Sequence, residues 1–197
     1  MLSKSSPMKS KLFVSLAAAC VAVFTGCMVP SLNPLFAEKD LVAYSDIIGN
    51  WSQDGKDEDS WKFEKDGKTY KLTHWDEKKR KATFTVSIGK IGTNVFMDVF
   101  PSDERPDEHL SDMAVMHLVP AHTFLKVQKQ GAAMNLVALD LEWTTKTLKD
   151  DPKMIAHVMR DNYPVLTAST EELQRFVGKL AANTNAFKNT IELQPRK

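Results

Sequence analysis

Chemistry in this chain of 197 residues would have to start from its histidines, cysteines, serines or paired carboxylates, and few of them stand in useful company. His117 and His122 are five positions apart. On a regular strand that odd spacing sends them to opposite faces, and only a bulge at Pro120 would bring them to one side. His74 or His109 would have to complete a zinc set, but no second histidine or cysteine follows at ligand spacing. Satisfied or solvated imidazoles are expected, with no metal and no other cofactor. Ser169 opens Ser169-Thr170-Glu171-Glu172, the pattern of a helix capping box, and no Gly-x-Ser-x-Gly turn is present. Asp57-Glu58-Asp59 and the acids from Asp103 to Glu108 fall in polar stretches where ordinary acidity is expected. No catalytic set emerges, and the chain reads as a non-enzyme.

The cysteines concern the protein's address. Lys4, Lys9 and Lys11 precede an apolar run from Leu12 to Phe24, and Thr25-Gly26-Cys27 follows at once. Basic start, short apolar core and small residues form the order of a secretory signal. The apolar run is 13 residues long, short of the roughly 20 needed for a permanent membrane-spanning helix. The residues before Cys27 resemble a bacterial lipobox, which implies that Cys27 is acylated and becomes the mature N-terminus. Two or three acyl chains, each contributing about 0.8 kcal/mol per buried methylene, would hold the protein on a membrane without crossing it. Met28 follows instead of the Asp that resembles an inner-membrane retention signal, so the outer membrane is the expected destination in a two-membrane host. Cys20 leaves with the leader, so the exported fold is expected to have no disulfide and to rely on its core.

Composition agrees with a folded domain: 43% of residues are hydrophobic and 26% charged. Of 26 basic residues three sit in the leader, which leaves 23 against 25 acidic ones on the mature chain. That balance supplies no concentrated cationic surface, and nucleic acid is not an expected partner. Lys78-Lys79-Arg80 is read as a soluble hairpin tip in preference to a headgroup contact.

The elements that would position these residues read as strands. Ile47 to Ser52, Ser60 to Glu64, Lys68 to His74, Ala82 to Ile88 and Asn94 to Phe100 alternate or run apolar between turn signals. Phe96 and Phe100 oppose Val95, Met97 and Val99, so that last strand is expected to be covered on both sides. Pro101 to Asp112 is a long polar loop, and His117 to Gln128 and Ala132 to Asp140 form a hairpin around Gly131. Asp140 is placed to cap a helix over 141–150, and Pro152 to open a second short helix ending near Arg160. Val165 to Ala168 is the expected eighth strand, and Leu173, Phe176, Val177 and Leu180 form one face of a C-terminal helix. The boundaries that follow are a signal peptide over 1–26, a lipidated tether over 27–43, a single β-barrel domain with its C-terminal helix over 44–182, and a frayed polar tail over 183–197. Asn33 to Phe36 is the one part of the tether expected to pack on the barrel.

Gly49-Asn50-Trp51 resembles the Gly-x-Trp signature of lipocalin and wider calycin barrels, where the tryptophan closes one barrel end. The segments Asn33-Pro34-Leu35-Phe36, His117 to Leu125 and Leu166 to Gln174 are similar to a family of uncharacterised bacterial lipoproteins, a likeness covering nearly the whole mature chain. The resemblance implies a mainly β fold, an antiparallel eight-strand lipocalin-like barrel, and supplies no activity. Eight strands enclose room for side chains or one small ligand. The first functional expectation is therefore a lipid-anchored protein binding a small apolar or amphipathic molecule in the barrel, with Trp51, Tyr70, Phe84, His117, His122 and Phe124 as candidate contacts. The alternative is an envelope interaction or assembly protein with a filled barrel and another protein as its partner.

Overall fold

The computed structural model describes residues 28–53, 59–102 and 118–196. The leader, Cys27, most of the acidic clusters, His109 and His117 lie outside them. Seven strands follow in the expected order: β1 (Gly49–Ser52), β2 (Ser60–Asp66), β3 (Thr69–Trp75), β4 (Lys81–Ile91), β5 (Asn94–Pro101), β6 (Thr123–Gln130) and β7 (Ala133–Leu139). Each pairs antiparallel with the next. The tight β2–β3 turn depends on Gly67 at φ +56°, a left-handed angle that costs glycine no steric penalty. β6 begins at Thr123 and not near His117, because Pro120 has no amide hydrogen to offer a ladder and residues 118–121 run outside the strand.

After β7 the chain leaves the barrel wall. Asp140 caps α1 (Leu141–Asp150) as expected, its carboxylate accepting the Trp143 amide at 2.6 Å. The short helix expected from Pro152 is replaced by a turn and a hairpin of β8 (His157–Arg160) and β9 (Tyr163–Leu166). Its two-residue turn is Asp161-Asn162, at φ 45° and 71°, residue types that tolerate the left-handed region. Val165 and Leu166 therefore pair with β8 outside the barrel and are not its eighth strand. α2 (Thr170–Leu180) starts at the expected capping box, with Ser169 and Glu172 satisfying each other's amides.

The eighth barrel strand is β10 (Phe187–Pro195), which seals the wall between β7 and β1. The segment read as a frayed polar tail closes the sheet instead. Ile191 and Leu193 are buried inward while Thr190 and Glu192 face solvent, a short alternation that polar neighbours disguise. The fold is thus mainly β, a closed antiparallel barrel of eight strands compatible with a lipocalin-like architecture, with both helices inserted before the last strand.

Two hydrophobic layers hold it together. The first fills the barrel, with Trp51, Phe63, Tyr70, Ile88, Met97 and Leu136 among its members. The second lies outside the wall, where Phe96, Phe124 and Val137 meet Leu173, Phe176 and Val177 of α2. β5 is covered on both faces, as its sequence predicts. The segment expected to be a tether joins this outer layer from its start: Val29, Leu35 and Phe36 are buried, and Asn33, Pro34 and Leu35 are bonded to residues 167, 168, 170 and 174. Residues 28–43 form a strap belonging to the domain, because Val29, Leu35, Phe36 and Leu41 complete the layer under α2 while Met28 and Val42 pack on the interior cluster.

Candidate functional site

Strand pleating divides the candidate contacts between the two layers. On β3 and β4, Tyr70 and Phe84 face the barrel interior, where Trp51 also lies. Trp51 donates its indole N–H to the Ile47 carbonyl at 2.8 Å, and the buried Ile47 packs beneath it. That bond fixes the orientation of the indole within the interior cluster. Tyr70 is 1% exposed and its hydroxyl accepts the Tyr44 amide at 2.6 Å, so its polar atom is occupied by the segment that leads into β1. Burial, helped by the Asp46 carboxylate, pushes the Tyr44 phenol above its ordinary value. Phe84 is half-buried against the interior cluster.

Phe124 and His122 are on the other side of the wall. On β6 the inward positions belong to Leu125 and Val127, so Phe124 points into the outer layer with the strap and α2. The expected set therefore forms no single pocket: Trp51, Tyr70 and Phe84 are brought together, His122 and Phe124 are not, and His117 lies outside the described residues.

His122 has a partner the sequence did not announce. Its Nδ1 lies 2.8 Å from Oδ1 of Asp98, whose other oxygen accepts the Leu35 amide at 2.8 Å. Asp98 is 2% exposed on the outward face of β5, and the imidazole stacks on Phe100 at 4.3 Å. Chemically this pairing fixes one imidazole nitrogen and leaves the other. Mechanically it ties the strap and the start of β6 to β5 through one buried carboxylate, which satisfies the rule that buried polar groups are hydrogen-bonded. Asp98 was legible only as a polar residue at an outward position of a two-sided strand. A second pair, His74 Nε2 and Asp59 Oδ1 at 2.6 Å, stands beside Trp61, whose ring meets His74 edge-on at 4.8 Å. Among the described residues no group of three or more histidine, cysteine, aspartate or glutamate side chains is placed to hold a metal ion.

A cleft of about 830 Å³ opens outside the barrel, between α1, the tip of the β8–β9 hairpin and the start of β10. Asp140 sits at its base, 4% exposed, accepting from Asn189 Nδ2 at 2.9 Å and lying 3.3 Å from Lys188 Nζ. Lys146 and Lys149 share the lining with Glu142, Asp150 and Asp161, so neither sign of charge prevails. The strap's first described residue, Met28, makes a backbone bridge to Asp140 at this place.

The chain matches no family model, and comparison with curated proteins and with solved structures finds no match. None of the described helices is long and apolar enough to cross a membrane.

Proposed function

We propose that the protein is an exported lipoprotein, held on a membrane through acylated Cys27, whose barrel is a filled scaffold for contacts in the cell envelope and not a carrier. One observation carries the second half: the inward side chains of all eight strands are packed on one another, from Trp51 and Phe63 through Tyr70, Met97 and Leu136 to Leu193. A guest would have to replace those contacts. It would gain roughly 25 cal/mol per Å² of its own apolar surface. The protein would lose the mutual burial of side chains each contributing about 1.5–3 kcal/mol. The first half rests on the signal order and on the lipobox-like residues before Cys27.

Native mass spectrometry of the detergent-extracted protein tests both. The expected species is the chain from Cys27 onward with its acyl mass and a second polypeptide, without a stoichiometric small molecule. A bound small molecule at one per chain would overturn the scaffold reading, and an unacylated N-terminus would overturn the anchor.

A further inference from the structure

Large apolar side chains left in water are few in this protein, and their distribution is uneven. The eight exposed ones among the described residues are Leu32, Ile48, Leu118, Val119 and four on or beside the β8–β9 hairpin: Met154, Val158, Met159 and Tyr163. Leu32 belongs to the strap, which runs beside β9. Leu32 donates its amide to the Leu166 carbonyl of β9, and Ser31 bridges His122, which follows the 118–121 segment. Apolar patches of this kind on a soluble face mark contact sites.

What covers the patch is indicated by where the chain starts. Met28 is fixed by its bridge to Asp140, and Asp140 lines the same cleft as Tyr163 at the hairpin tip. If Cys27 carries acyl chains, no linker separates them from the fold. The lipid surface must then lie within one residue and its lipid linkage of Met28. A surface so close to this edge of the domain also meets the hairpin beside it.

We infer that the β8–β9 hairpin and the adjoining strap form a membrane-docking face, in which Val158, Tyr163 and Leu32, which the pairing registers place on one side, enter the interfacial layer of the bilayer holding the anchor. This rests on the reading of Cys27 as the lipid-bearing residue. An aromatic at the tip, with its polar hydroxyl, suits the headgroup level. The flanking charges are mixed, Arg160 and Lys153 against Asp151 and Asp161, so apolar insertion and not attraction to anionic lipid drives the contact. The docking orients the barrel and adds to an anchor that one chain alone would make only marginal.

The test uses the acylated protein reconstituted into phosphatidylcholine vesicles. Once Cys27 is acylated and the leader removed, Val158→Cys supplies the one free thiol, and Lys71→Cys on exposed β3 serves as control. With an environment-sensitive dye on either thiol, brominated lipid is expected to quench position 158 and not position 71. Val158→Asp/Tyr163→Asp is expected to transfer between vesicles about tenfold faster, with little change when anionic lipid or salt is added. Vesicle-bound protein with no quenching at 158, or with the dye shielded by a second polypeptide, would overturn the docking face and leave the anchor intact. Protein that does not remain on vesicles would overturn the anchor itself.

Discussion

Two side chains show how individual contacts set stability here. The Thr144 hydroxyl on α1 is fully buried and finds no hydrogen-bond partner among the described residues. Such a group carries a desolvation cost of about 1–3 kcal/mol that a methyl of the same shape does not. Thr144→Val is therefore expected to stabilise, raising Tm by about 2–4 °C for each kcal/mol recovered in a thermal melt. Gly89 illustrates the opposite case. The ring of Phe36 lies so close over its α-carbon that an added methyl would overlap the ring atoms. Gly89→Ala should force the strap off β4 and cost about 1–3 kcal/mol in chemical denaturation. In a variant that also carries Phe36→Ala the added methyl should be tolerated, so the two changes should not sum. Neither role was legible beforehand: the alternation reads as ending at Ile88 with a turn from Gly89, whereas β4 runs on to Ile91, and a glycine there gives no sign of what crosses it.

At the scale of elements, strong local signals were read correctly and weak ones were not. β4 alternates over its inward Phe84, Val86 and Ile88, and the Ser169 box specifies α2, so both were legible. β10 was missed because its inward face offers only Ile191 and Leu193 amid polar neighbours, and its strand identity comes from the two edges it joins. The β8–β9 hairpin was missed for a related reason. Pro152 suits a helix start as well as a turn, and the Asp161-Asn162 pair settles the matter only once its left-handed angles are known. β10 supplies a decisive prediction. Ending the chain at Thr184 would expose the edges of β7 and β1 and open the sheet. The truncated protein is expected to lose its cooperative melt and aggregate, whereas a frayed tail could be removed with no effect on circular dichroism.

For the whole molecule, the closed barrel follows from seven meandering strands and one returning strand. Its mainly β class was legible from period-two patterning, whereas its eighth strand was expected at Val165 to Ala168 and is β10. The division of its side chains between two layers was not legible either. Tyr70 and Phe124 look alike in sequence, but one faces the interior and the other the strap and α2. Which strand face points inward depends on what covers the outer one, and that covering comes from residues 28–43 and 170–180, far away in the chain. The filled interior is the claim on which the functional account depends. Xenon enters dry apolar cavities and leaves packed cores empty, so a crystal of the soluble Cys27→Ser protein held under xenon reads the interior directly. No xenon is expected within the wild-type barrel, while Leu72→Ala, which removes a buried inward side chain, is expected to admit it. Xenon bound among Trp51, Tyr70 and Phe84 of the unaltered barrel would contradict the account.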